Sequence, residues 1–201
     1  MNGPGGGHPD GKTSKEPVNL ANGNLFLPAT DIQIPGRGPV THFPHAWDTG
    51  LGTWVVENGE ASGEGGQNWH PKTWGDFELS VKMKTLAQDP EGTSPDIEFY
   101  TGWIHFRFQD YENHYQLLIK TTGVVELVKY YVKNGQVERD FWRQQTTLSP
   151  LQWNTVKIRM VGGQITVAIN GQAIFDIQDP EPLPAGRIGL EAHRSHVHWM
   201  E

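Results

Sequence analysis

Nine consecutive residues, Asp76 to Lys84, read D-F-E-L-S-V-K-M-K. Phe77, Leu79, Val81 and Met83 fall on one side of an extended chain, and the polar residues fall on the other. Strict period-two alternation over this length predicts a half-buried β-strand and no helix. The pattern recurs. Ile104, Phe106 and Phe108 alternate with Trp103, His105 and Arg107. Tyr115, Leu117 and Ile119 share a face, as do Val156, Ile158 and Met160, and then Ile165, Val167 and Ile169. Val124 to Val132 is β-branched and aromatic. Turn signals separate the runs: Asp110-Tyr111-Glu112-Asn113, Thr122-Gly123, Asn134-Gly135, Gly162-Gly163 and Asn170-Gly171. Asn-Gly suits a two-residue hairpin, which needs positive φ at both central positions. This cadence predicts an all-β antiparallel sandwich. Hydrophobic content of 36%, with Gly 24 and Pro 14, agrees.

The first 45 residues have another character. Met1 to Pro17 is rich in glycine and nearly free of apolar side chains, and Leu25-Phe26-Leu27, Ile32 and Ile34 offer only short strand signals. The expected organisation is an N-terminal arm over 1–45 with one or two short strands, and a sandwich over 46–201. Cys is 0, which excludes disulfides and a thiol nucleophile. A net charge of −7 argues against a nucleic-acid partner. No apolar run approaches the roughly 20 residues that a membrane-spanning helix needs, so membrane insertion is not expected. The start of the chain carries no signal-peptide pattern. The expected location is extracellular or periplasmic if a signal has been removed, and otherwise cytoplasmic. A phosphate-binding glycine loop and a Gly-x-Ser-x-Gly elbow are both missing.

Several segments, in fixed order, resemble a known group of sandwiches: Trp54-Val55-Val56-Glu57-Asn58-Gly59, Trp74-Gly75-Asp76-Phe77-Glu78-Leu79, Phe106-Arg107-Phe108-Gln109-Asp110, Asn113-His114-Tyr115-Gln116-Leu117, Trp153-Asn154-Thr155-Val156-Lys157-Ile158, Val167-Ala168-Ile169-Asn170-Gly171 and Gly186-Arg187-Ile188-Gly189-Leu190. Over residues 50 to 200 the chain is similar to the concanavalin A-like lectin/glucanase superfamily, nearest to laminin-G-like and 3-keto-disaccharide hydrolase type domains. Phe99-Tyr100-Thr101-Gly102-Trp103 stands where the hydrolase group carries a short Asn-Ser-Gly segment. The resemblance implies a jelly roll of two antiparallel sheets, sugar binding on the concave face or its rim, and in many members calcium.

The polar row Trp103, His105 and Arg107 is the first candidate site, with alternate residues about 7 Å apart. Together with His114 and Gln116 it could line a sugar groove. Indole supplies a flat platform, and Arg and His supply directional donors. The alternative is an ordinary exposed strand face. Trp69 and Trp74 flank His70-Pro71-Lys72-Thr73, read as a loop, so Trp69 is a candidate rim contact. Trp54, Trp153 and Trp199 fall in strand patterns and read as packing.

Asp96 and Glu98 would share one face of a strand, as a glycosidase carboxylate pair does. The segment partly matches the Glu-x-Asp-x-x-Glu signature of laminarinase-type hydrolases, with Ser94 in place of the leading Glu. A solvated pair, or an ion pair to Arg107 or a lysine, is the alternative. His193, His196 and His198 are candidate ligands for a divalent metal, with His105, His114 or Glu191 completing the set. Oxygens at Asp96 or at the Asp110 turn would suit calcium. Histidines hydrogen-bonded in a polar groove are the other reading.

The expected function is a carbohydrate-binding domain. The alternatives are a sugar-active enzyme (a 3-keto-glycoside hydrolase or lyase, a glycosidase or a polysaccharide lyase) and a structural interaction module. The enzyme would use Glu98, Asp96 or His105 as acid or base, or a His-bound metal.

Overall fold

All the regular structure described in the computed structural model is β. It covers residues 18–19, 24–25, 48–57, 60–88 and 97–200. The expected arm boundary at residue 45 and the candidate Asp96 lie outside these residues. The short strands β1 (Val18–Asn19) and β2 (Asn24–Leu25) pair with each other. The body is built from β3 (Asp48–Glu57), β4 (Glu60–Trp74), β5 (Phe77–Gln88), β6 (Gly102–Asp110), β7 (Asn113–Ile119), β8 (Val124–Lys133), β9 (Gln136–Gln145), β10 (Asn154–Val161), β11 (Gln164–Ile169), β12 (Gln172–Gln178), β13 (Gly186–Ala192) and β14 (Ser195–Met200).

Hydrogen bonding runs along one path, β12-β11-β10-β5-β14-β4-β13-β6-β7-β8-β9, with β3 on β4, and every pairing is antiparallel. The path folds into two layers at β4. Residues Glu60 to Glu64 pair with β14 in one layer, and Gln67 to Trp74 pair with β13 in the other. Gly66 lies at the crossing. A Cβ on it would meet the backbone of Leu51 and Gly52, so only glycine lets β3 and β4 approach this closely.

The inward residues of both layers form one core. Phe77, Leu79, Val81 and Met83 of β5 oppose Ile104 and Phe106 of β6 and Tyr115, Leu117 and Ile119 of β7. Phe77 and Phe106 meet edge to face across the layers at 5.6 Å. Each such side chain, once buried, contributes about 1.5–3 kcal/mol. Trp199 is fully buried and Trp54 packs against the core, whereas Trp153 is 40% exposed just before β10. A buried polar cluster pins residues 179–183. Tyr115 donates to Asp179 at 2.5 Å, Lys129 pairs with Asp179 at 2.9 Å, and Lys129 also donates to the Glu181 carbonyl at 2.6 Å.

Two sequence expectations about facing are corrected. The first concerns β6. Its register with β7 shifts between Phe106 and Asp110, and its register with β13 shifts between Arg187 and Gly189. Arg107 takes φ 45° at this bulge. The extra residue reverses the alternation, so Arg107 leaves the row of Trp103 and His105 and Phe108 joins it. The Arg107 guanidinium donates to the carbonyls of Gly75 (2.8 Å), Leu183 (2.6 Å) and Gly162 (2.9 Å), and pairs with Asp76 at 3.4 Å. It is a buried structural clasp. The second concerns Trp69. It belongs to β4, not to a loop, and is 5% exposed. The Gly- and Pro-containing β4 sequence is a weak strand former, but hydrogen-bonded neighbours on both sides hold it extended.

Candidate functional site

The layer β4-β13-β6-β7-β8-β9 turns one face to the core and the other outward. Cross-strand pairing determines which side chains meet outside. His105 pairs with Gln116, His114 with Tyr130, and Tyr130 with Arg139. Paired residues point the same way in an antiparallel sheet. A transverse row therefore crosses six strands: Trp69 of β4 over Gly189 of β13, then His105, His114, Tyr130 and Arg139. The ring distances follow it. Trp69 to His105 is 5.3 Å, His105 to His114 is 5.3 Å, and His114 stacks on Tyr130 at 4.5 Å. Phe108 stacks on Trp69 at 3.8 Å. Tyr111, in the β6–β7 hairpin, meets Phe108 edge to face and donates to Gln67 Oε1 at 2.7 Å.

Glu191 is the polar centre. Its carboxylate accepts from His105 Nε2 at 2.8 Å, Gln67 Nε2 at 2.7 Å and His193 Nδ1 at 2.6 Å. Burial alone would raise its pKa. The hydrogen bonds from His105 and His193 outweigh that and hold the carboxyl well below the usual carboxylate range. With Nε2–H given to Glu191, the Nδ1 of His105 is a buried ring nitrogen without a partner. His114 donates Nδ1–H to the Asp110 carbonyl at 3.2 Å. Burial pushes its pKa down to about 4, so it is neutral at physiological pH. Trp103 stacks face to face on His193 at 3.8 Å, and its indole N–H is given to the Phe99 carbonyl. One face of the expected sugar platform is therefore taken by an imidazole.

The floor of this face is closely packed: Trp69, His105, Phe108, His114, Gln116 and Glu191 are all buried. Its exposed and half-exposed groups are Trp103, Tyr111, Tyr130, Arg139, Phe141 and His193.

The expected residues separate into groups. Trp69, Trp103, His105, His114 and Gln116 do come together on this face, whereas Arg107 does not. The histidine triad is not a unit. His193 sits in the turn after β13 beside Glu191, and Arg194 takes φ 42° in that turn. His196 and His198 alternate with the core residues Val197 and Trp199 on β14, and so project from the other layer. There His196 bonds Ser62 at 2.7 Å and His198 bonds Glu60. Among the described residues no group of three His, Cys, Asp or Glu is arranged to hold a metal. The Asp110 carboxylate accepts instead from the Glu112 N–H and the Asn113 amide of its own turn.

Glu98 lies in the turn before β6, ion-paired with Lys120 at 2.9 Å and close to Thr122. The Lys120 hydrogen bond holds its carboxyl below the usual range, the opposite of what a general acid requires. Its presumed partner Asp96 lies outside the described residues. Sequence reasoning gave Glu191 only a supporting role and missed Phe108, Tyr111, Tyr130, Arg139 and Gln67. The one signal for Glu191 was a carboxylate inside the apolar run Ile188 to Ala192.

A two-layer antiparallel sandwich of this topology has the fold of the concanavalin A-like jelly rolls. Comparison with known proteins narrows it: residues 41–200 match the 3-keto-alpha-glucoside-1,2-lyase-like domain, and the chain belongs to that family. No curated protein matches it. Among solved structures it is similar to the carbohydrate-binding module CBM66 from Bacillus subtilis, with TM-score 0.61 and 17% identity over 78% of this chain and 92% of that one. It is also similar to the Bacillus licheniformis beta-glucanase, with TM-score 0.58 and 14% identity over 80% of this chain and 94% of that one. At these identities the likeness is one of fold.

Proposed function

We propose that this chain binds a carbohydrate on the outward face of the β4-β13-β6-β7-β8-β9 layer. The observation that carries the reading is the row Trp69, His105, His114, Tyr130 and Arg139, which runs across the strands as an extended sugar chain would. The rings that keep exposed surface there, Trp103, Tyr111, Tyr130 and Phe141, supply it for the apolar faces of pyranoses, and the buried Trp69, His105 and His114 form the floor beneath. The family and the resemblance to a carbohydrate-binding module support the same ligand class. The test is calorimetric titration with a panel of soluble oligosaccharides, using the wild type and Trp103→Ala. At least one sugar binds, and the variant weakens it roughly tenfold, the effect of losing one stacking contact and its hydrogen-bonding surroundings. Failure of every sugar to bind contradicts the reading.

The His105–Glu191 pair favours a second reading, elimination on a 3-keto-α-glucoside. The hydrogen on C2 of such a sugar is acidified by the neighbouring ketone. His105 Nδ1 would take that proton, the C2–H electrons would form the C1–C2 double bond, and the C1–O bond would break with its electrons on the glycosidic oxygen, which takes a proton from water as it leaves as an alcohol. Glu191 would hold the imidazole and stabilise the imidazolium. Incubation with a 3-keto-α-glucoside would release an unsaturated keto sugar, and His105→Gln would abolish the release. Equal rates in the two proteins would remove His105 from this role.

A further inference from the structure

We propose that the saccharide bound by this face is anionic, carrying carboxylate or sulfate groups, and that Arg139 reads that charge. The inference rests on the binding reading above and adds the ligand class.

The protein as a whole is acidic, with net charge −7. The strands of this face depart from that balance. The carboxylates that β6, β7, β8, β9 and β13 direct to it are already engaged. Glu191 accepts from two histidines and Gln67. Glu126 is buried between Arg143 and Lys120. Asp110, at the end of β6, is turned into its own hairpin. The other acids of β9, Glu138 and Asp140, bond Tyr131 on the opposite side of the sheet.

Two arginines lie against rings of this face, and one of them, Arg139, is exposed. The Arg187 guanidinium lies over Trp69 at 5.5 Å and over Phe108 at 5.7 Å. Arg139 is exposed and lies over Tyr130 at 5.1 Å, and among the described residues it makes no ion pair. Four interstrand spacings separate β13 from β9, about 19 Å, a span that holds several sugar rings. A guanidinium is planar and presents its N–H groups as a rigid fork. That geometry meets a carboxylate or sulfate with two parallel hydrogen bonds. A neutral sugar gains little from it, because a hydroxyl cannot accept such a fork.

The test uses neutral gluco-oligosaccharides of several linkages, and the same oligosaccharides carboxylated at the primary alcohol or sulfated. Each is titrated against the wild type, Arg139→Gln and Arg159→Gln. Arg159 is an exposed arginine of β10, on the other layer, and serves as the charge control. The expected result is that a charged form binds roughly tenfold more tightly than its neutral parent, the gain of one charge-assisted bidentate contact. Arg139→Gln removes the preference, Arg159→Gln keeps it, and added salt weakens only the charged ligand. The carboxylated and sulfated arms identify which anion is read. Equal binding of neutral and charged forms, or equal loss in both variants, overturns the inference and leaves the binding reading standing. Binding of no form at all overturns the binding reading, and this inference with it.

Discussion

The Nε2 of His105 lies 2.8 Å from Oε2 of Glu191, and both side chains are buried, at 3% and 9% exposure. A buried carboxylate with this partner is expensive to disturb from one side only, because removing the charge leaves desolvated donors without an acceptor. Glu191→Gln keeps the shape but turns an amide N–H toward one of three donors. It should lower the unfolding free energy by roughly 3–5 kcal/mol. Urea unfolding of the two proteins at neutral pH measures it. A loss within error of zero would mean the pair is not buried as described.

Acid should weaken the fold in a defined window. The folded pKa of His114 is depressed to about 4 from 6.5, so the unfolded chain binds the proton that the folded one refuses. Stability therefore falls as pH drops from about 6.5 to about 4, by on the order of 3 kcal/mol from this group. The depressed Glu191 carboxyl acts in the same direction. Its contribution is present above the ordinary value of 4.5 and is lost as pH falls below it. Midpoints of thermal unfolding between pH 7 and pH 4 should decline, and the decline should be shallower in His114→Gln. A profile of unchanged slope in the variant would assign the acid sensitivity elsewhere.

Gly189 lets Trp69 lie across β13. A Cβ there would overlap the six-membered ring of the indole. Gly189→Ala should push Trp69 off Phe108 and destabilise the protein by about 1–3 kcal/mol, the usual effect of overpacking a filled site. Tryptophan fluorescence should shift to the red as the ring gains solvent. An unshifted spectrum with unchanged stability would contradict the close approach.

Arg107 distinguishes a clasp from a ligand contact. Its guanidinium satisfies three backbone carbonyls and does not join the aromatic row. Arg107→Ala leaves those buried acceptors unpaired and should cost about 2–5 kcal/mol. Sugar affinity of the remaining folded protein should be unchanged. A variant of normal stability that loses sugar binding would return Arg107 to the groove.

These residues also show what the sequence makes legible. The alternation of β5, β7, β10 and β11 is visible because each keeps one face in the core without interruption. The reversal at Arg107 is invisible, since a bulge adds a residue without changing composition; only pairing with β7 and β13 reveals that Phe108, not Arg107, neighbours His105. β4 was misread for a related reason. Its extended form comes from its neighbours, while its own glycines and proline argue for a loop. His105 and His114 stand opposite the apolar alternation of their strands and so read as members of one outward face, whereas Trp69 reads as a rim contact and lies buried in the floor. Their centre, Glu191, was not selected as such, because a single acid in an apolar run acquires meaning only when His105, His193 and Gln67 close around it. The histidines near the end of the chain failed as a cluster because one turn, at Arg194, sends His193 to one layer and His196 and His198 to the other.

The most direct test of the central claim is the response of the histidine side chains to sugar. Imidazole resonances of His105, His114 and His193 report on the proposed face, and those of His196 and His198 report on the opposite layer. Titration with a bound oligosaccharide should shift the first three and leave the last two in place. Shifts confined to His196 and His198 would put the ligand on the wrong layer and contradict the account.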